Sequence, residues 1–446
     1  MLLSGWGHYP KIDTVKNVPS TINKTLEQLQ ISQELIPRGF GRAYGDSALN
    51  DKLIISSLKL DSMISFDNHT GELETESGVT LEDILDTFAP RGWFLPVTPG
   101  TKFVTIGGAV ASDVHGKNHH VAGSFGSHVS WFDIWTSSKG LVRCNSSQNS
   151  DLYYSTIGGH GLTGFITRVC LKLIKIPSVY ICQTLIKAEN LEEIMDLFEA
   201  YDKLPYSVAW IDCQSKGKYF GRSLFMGGYF AEDELSKKEK TNPYLYDKHM
   251  NLFVPFNFPS FVLNSYTIKA FNALYYHKNL KKKKQSIVTY DKFFYPLDSI
   301  NNWNRIYGKK GFLQYQFALP METSKIGISS ILNKIIDIGT GSFLAVLKLF
   351  GDQPKFEGNI SFPQKGFTLA LDFPVNKNIF DKLNELDKLV LDYGGRLYLT
   401  KDSRTTSEVF YKSYEDQILH FLDTKFRWDE RGVFSSLQSK RLKLTK

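Results

Sequence analysis

Three glycine-rich loops between residues 37 and 166 constrain this chain more than any other feature: PRGFGRAYGDS (37–47), TPGTKFVTIGGAVASDVHG (98–116) and IGGHGLTGFI (157–166). Glycines such as Gly39, Gly41 and Gly45 admit positive φ, and successive backbone amides can then turn toward one point and cradle an anion such as a pyrophosphate. The first loop is not a P-loop, because no Gly-Lys-Ser/Thr follows it. The third holds Gly159-x-Gly161-x-x-Gly164, formally the dinucleotide fingerprint. The residues after it, LTGFITRVCLKLI, alternate like a strand and open no helix, so a Rossmann unit is rejected. Three such loops suit an extended dinucleotide that the chain wraps along its length. A turn-rich β domain is the plain alternative.

The rest of the chain reads as α+β. KLIISSL (52–58) is a strand, and GELETESG gives way at Thr80, an N-cap, to a helix with Leu81, Ile84, Leu85 and Phe88 on one face, ending before Pro90. Helices are expected over 191–204, 324–339 and 378–395, the last stopping at Gly394, and a strand over 307–320. The stretch from about 230 to 290 reads as polar and irregular. At 446 residues the chain exceeds one ordinary core and calls for two domains or one with a large insertion.

Bulk properties exclude several classes. The net charge of +7 is partly concentrated in KNLKKKKQ (278–285), read as a solvated loop with anionic lipid or phosphate as the runner-up. No recognition motif accompanies the charge, so nucleic-acid binding is not expected. Cys144, Cys170, Cys182 and Cys213 form no CxxC pair and read as reduced thiols of a cytoplasmic protein. The N-terminus is not a signal peptide, and no stretch reaches the roughly 18 apolar residues of a spanning helix. The aromatic content of 14% suits either an aromatic-rich core or the enclosure of a flat ligand.

VASDVHGKNHH (110–120) carries His115, His119 and His120. Gly116 and Asn118 disfavour a helical presentation of the first two, so no metal site is expected. Hydrogen bonds to nearby backbone are the reading for His119 and His120. Gln314 and Gln316 alternate on one strand and face the same side.

The loops PRGFGRAYGDS, PGTKFVTIGGAVASDVHGKNHHVAGSFGSHV (99–129) and GGHGLTGFI, with WNRIYGKKGFLQYQF (303–317) and GGRLYLTKDSRTT (394–406), resemble the vanillyl-alcohol-oxidase type of FAD-binding flavoproteins over nearly the whole chain. The similarity is greatest to members acting on a polyprenyl-phosphate-linked ribose. It implies a two-domain α+β fold: a split FAD domain (1–177 and 396–446), and a substrate domain (178–395) of antiparallel sheet and helices, with mobile loops at about 230–290. It implies FAD held by Pro37, Arg38, Gly39, Phe40, Gly41, Arg42, Ala43, Tyr44, Gly45, Asp46 and Ser47, then Gly100, Thr105, Ile106, Gly107, Gly108, Ser112, Asp113, Val114 and His115, with Ile166 and Tyr398. The first loop lacks the histidine to which many relatives attach FAD, so the flavin is expected to be non-covalent.

The implied reaction oxidises the ribosyl 2′-hydroxyl to a ketone, the first half of a ribose-to-arabinose epimerisation in cell-wall synthesis. The resemblance implies a short-chain nicotinamide-dependent reductase that completes it. The aromatic and then basic stretch 251–284 is expected to dock peripherally on the inner face of a membrane, with a disordered surface loop as the plain alternative. Lys401 is the catalytic candidate, as proton acceptor or alkoxide partner, with an ion pair to Asp402 as its plain alternative. His115, Lys117, Tyr44, Gln314, Gln316 and Lys348 are implied to line the pocket. Two departures from the family stand out: Ala370 replaces a cysteine, and Phe294, beside Tyr295, replaces a tyrosine. A soluble alditol or aldonolactone oxidase is the competing enzyme, and a non-catalytic scaffold the competing class.

Overall fold

Period-two alternation in FLQYQFALP builds the largest element of the fold. The computed structural model describes residues 1–246, 252–259, 262–339, 342 and 344–445. Eight antiparallel strands lie in the spatial order Lys283–Thr289, Tyr180–Ala188, Ser223–Phe230, Tyr206–Ile211, Ala345–Phe350, Gly366–Pro374, Phe312–Pro320 and Arg396–Leu397. On one face Leu313, Tyr315, Phe317 and Leu319 join Leu347, Leu369 and Leu371. This face buries the apolar stripes of helices Leu191–Ala200, Met321–Ile338 and Ile379–Asp392. The intervening residues Gln314, Gln316, Val346, Lys348 and Ala370 point the other way, into a cavity.

Across that cavity lies the region with the glycine loops. It has a parallel three-stranded sheet, in the order Val15–Asn17, Leu53–Ser56, Ile36–Arg38. It also has an antiparallel five-stranded sheet, in the order Gly140–Cys144, Val129–Thr136, Phe165–Lys172, Glu72–Glu76, Met63–Phe66. Helix Leu81–Phe88 begins at Thr80 with a reciprocal capping box: Asp83 N donates to Thr80 Oγ1 at 3.1 Å and Thr80 N to Asp83 Oδ2 at 3.0 Å. The segment after Gly164 is a strand, as its alternation requires.

The C-terminal helices Ser407–Tyr414, Asp416–Trp428 and Leu437–Arg441 return to the first region. Phe410, Ile418, Phe421 and Leu442 pack on Ile36, Leu49, Ile54 and Leu162. Leu35 N donates to Val433 O at 2.8 Å and Ser435 N to Leu35 O at 2.9 Å. Chain ends far apart in sequence thus share one core, and the whole is a two-part α+β fold.

The 230–290 stretch is more regular than its composition suggests. Helix Ser265–His277 starts at Asn264, whose side chain accepts from Tyr266 N and Thr267 N. Its buried seam is Ile268, Asn272 and Tyr276, and the polar member disguises the helical period. Lys283 and Lys284, expected in a loop, instead open the edge strand of the large sheet, where charge discourages further strand pairing. Residues 247–251 and 260–261 of the expected loops lie outside the described residues. No helix among the described residues is long and apolar enough to cross a membrane.

Candidate active site

The first glycine loop is held by its carbonyl edge. Trp6 N donates to Ala43 O at 2.8 Å and Gly7 N to Tyr44 O at 3.1 Å, while Tyr44 N is taken by Thr400 O at 2.9 Å. The amides of Gly39 to Ala43 find no carbonyl acceptor among the described residues, as a nest for an anion requires. Gly41 has φ +72°, and a Cβ on Gly45 would sit 1.8 Å from Asp402 O, so the loop can reach the 398–404 segment only with glycine there.

This loop, the 99–115 segment, Gly161 to Ile166 and the polar sheet face enclose a cavity of about 310 Å³. Its wall includes Pro37 to Tyr44, Ser47, Gly100, Thr105, Gly107, Gly108, Ser112, Val114, His115, Ile166, Tyr398, Gln314, Gln316, Lys348, Ala370 and Lys401. Four wall residues carry a buried polar atom without a partner among the described residues: Ser77 Oγ, Arg42 Nε, His115 Nδ1 and Thr400 Oγ1. Each such group costs about 1–3 kcal/mol when unsatisfied, so their gathering on one wall marks the place of a polar ligand. Free amides, orphaned polar atoms and a long cleft together fit a flavin dinucleotide.

Burial sets the electrostatics. Lys401, its Nζ 3.8 Å from the centre of the Tyr44 ring, is pushed down to about 7 by burial and by Lys348, against the pull of Asp372. Burial lowers Lys348 to about 8. His115 is held well below its ordinary value by burial, then by the Lys348, His119 and Lys401 charges, and is therefore neutral. It lies 3.1 Å from Gln316 Nε2, among Phe350, Phe362 and Tyr398. Gln314 Nε2 donates to Asp372 Oδ1 at 2.6 Å, and burial raises Asp372 to about 6. Asp402 pairs with Arg441 at 2.9 Å rather than with Lys401.

Six residues expected at the site stand off the cavity wall. Lys117 is folded away, its ammonium donating to Phe293 O and lying 4.4 Å from the centre of the Phe293 ring. Phe294 is core, against Phe94, Tyr206 and Phe230, and Tyr295 is tied to Thr98 Oγ1 at 2.5 Å. Gly45 packs on Asp402. Asp46 pairs with Arg441 at 2.8 Å. Ile106 is fully buried in the main apolar cluster. Asp113 accepts from Gly126 N, Gln353 Nε2 and Ser361 Oγ, bracing the loop behind His115. Arg38 does line the cavity, but its guanidinium is spent on Ser4 O at 2.7 Å and Ala48 O at 3.0 Å.

Other wall residues escape sequence reasoning: Trp6, His160, Asp298, Trp303 and Thr400. His160, Trp303 and Thr400 do lie in GGHGLTGFI, WNRIYGKKGFLQYQF and GGRLYLTKDSRTT, three of the segments that carry the resemblance. Asp298, raised to about 6 by burial, sits in no motif or period that could flag it. The other histidines hold structure: His120 Nε2 meets Leu204 O at 2.9 Å, and His119 meets the Gln353 side chain at 3.0 Å. No cluster of three or more metal-ligating side chains occurs among the described residues, and all four cysteines are unpaired and buried.

A family model for an FAD binding domain matches residues 19–145. Fold and site thus define an FAD-dependent oxidoreductase acting on a CH–OH group. The chain is 37% identical, over 99% of its length and 97% of the relative's, to the decaprenylphosphoryl-beta-D-ribose oxidase of Mycolicibacterium smegmatis, and it belongs to that family. Shorter matches, covering 34% and 26% of the chain, join it to a D-lactate dehydrogenase of Anaerostipes hadrus (28% identical, 33% of that protein) and to the human delta(24)-sterol reductase (26% identical, 23% of that protein).

Proposed function

We propose that this protein oxidises the 2′-hydroxyl of a ribose carried on a polyprenyl phosphate, giving the 2′-keto sugar. One observation carries the reading: Lys348 and Lys401, two half-buried lysines without an ion pair among the described residues, share a cavity with the free amides of the first glycine loop. FAD, when bound there, accepts the hydride that leaves the sugar carbon. The neutral Lys401 amine takes the hydroxyl proton, becoming an ammonium as the C–O bond becomes a carbonyl. Lys348, still mostly protonated near neutrality, holds the phosphate. Gln314 and Gln316 orient the sugar hydroxyls, and neutral His115 packs beside them without adding charge.

The ketone calls for a second enzyme, a nicotinamide-dependent short-chain reductase that returns hydride from the opposite face to give the arabinosyl lipid. A prenyl tail places the reaction at a membrane surface, where this chain acts peripherally. The test is anaerobic titration of the flavin band near about 450 nm. Bleaching by polyprenyl-phosphoryl ribose, with none by free alditols or aldonolactones, is expected. The reverse pattern assigns the protein to soluble polyol oxidation.

A further inference from the structure

The segment from Lys248 to Tyr290 contains seven lysines, Lys248, Lys269, Lys278 and Lys281 to Lys284, and no aspartate or glutamate. Helix Ser265–His277 anchors it. Ile268 and Tyr276 are buried, and between them Asn272 Nδ2 donates to the buried Asp212 Oδ1 at 2.8 Å. Asp212 is in turn paired with Arg222 at 2.8 Å. A helix docked by one face ordinarily shows a polar outer face. Here large apolar side chains stand among Lys269 and Lys278 on the outer face: Tyr266 is 83% exposed, Leu274 74% and Leu280, just beyond the helix, 93%, with Phe271 and Tyr275 beside them. Leu252, Phe253 and Phe256 add further exposed apolar surface.

Lys282 is tied to Glu193 and Lys283 to the Tyr201 hydroxyl. Lys269, Lys278, Lys281 and Lys284 make no ion pair with a described residue. The patch is also joined to the cavity. Phe253 pairs with Asn301, and Arg305 Nη1 donates to Val254 O and Pro255 O. Leu297, Asp298 and Trp303, which flank this join, are cavity wall.

We propose that this face is the membrane-docking surface of the enzyme, with Phe253, Phe256, Tyr266, Leu274 and Leu280 seated at the interface of an anionic phospholipid bilayer. Lys269, Lys278, Lys281 and Lys284 lie over the head groups, a combination that matches an interfacial helix. The assignment rests on the lipid-linked substrate reading and adds where the chain meets the lipid. Docking here puts the cavity mouth beside the bilayer, so that a phosphate-linked sugar enters while its tail stays in the membrane.

The test is flotation of the full flavoprotein with vesicles of phosphatidylglycerol and phosphatidylcholine. The parent protein floats at low salt and weakens with added salt. Each of Lys278→Gln, Lys281→Gln and Lys284→Gln lowers the partition constant about fivefold. The combined Tyr266→Ser, Leu274→Ser, Leu280→Ser variant stays in the soluble fraction. Parent protein that fails to float at either salt, or an apolar variant that floats as well as the parent, overturns the proposal. So does a dimer that the same three substitutions dissolve, which would assign the face to a second copy. Flavin bleaching by a water-soluble short-prenyl phosphoryl ribose is expected to be unchanged in all variants. That readout separates failure of the docking surface from failure of the reaction.

Discussion

Lys401 is where sequence chemistry and tertiary environment meet. A lysine in YLTKDSRT can be a surface cation or a base, and the lowering of Lys401 to about 7 by burial and by Lys348 supports the proposed base. The proton acceptor must be neutral, so kcat/KM is expected to rise through about pH 7. The phosphate ligand must be charged, so it is expected to fall above about 8. A bell-shaped profile results, its limbs belonging to the interacting pair of amines. Lys401→Met removes the acid limb and lowers kcat by roughly 100- to 1,000-fold. Lys348→Met removes the alkaline limb and acts mainly on KM. Ala370 makes a second residue-level prediction. It lines the cavity opposite Gln316 and Val346, at the position where the resemblance leads one to expect a cysteine. Cys144, Cys170 and Cys213 are buried and pushed up to about 12, 11 and 12. A thiol-directed electrophile seated in the cavity should leave the native chain unmodified and add once, by intact mass, to Ala370→Cys.

At the scale of elements, the periodic pieces were legible and the junctions were not. Helices at 81–88, 321–338 and 379–392 and the strand at 312–320 follow from repeating apolar positions, which local sequence carries. Lys117, Phe294 and Asp46 show the opposite. Each lies in or beside a motif, yet its side chain is directed by a partner from a distant segment: Phe293 O, the Phe94 cluster and Arg441. Arg441 also bridges Asp46 to Asp402, tying the C-terminal helix to the glycine loop and to the turn that carries Lys401. Arg441→Met leaves two buried carboxylates unpaired and is expected to cost roughly 3–5 kcal/mol. Denaturant melts followed by protein and flavin signals should show the loss, with flavin released no later than the fold.

For the molecule as a whole, the absence of a histidine from the first glycine loop predicts that acid or heat precipitation frees all FAD. The supernatant should be yellow and the pellet colourless; colour retained in the pellet would show a covalent link. The two-part architecture was legible because the glycine loops, the alternating strands and the amphipathic helices are local patterns. The number and chemistry of cavity-wall residues were not. Asp298, His160 and Trp303 come from segments that touch only after a sheet in one part closes over loops in the other. By itself the sequence determined a flavin-binding α+β chain, since backbone permissiveness and hydrophobic period are properties of neighbours along the chain. Only the tertiary structure decided which motif side chains face the cavity, which amines burial pushes down toward neutral pH and which apolar residues stay outside. Burial and charge pairing depend on distance in space, and segments hundreds of residues apart supply both.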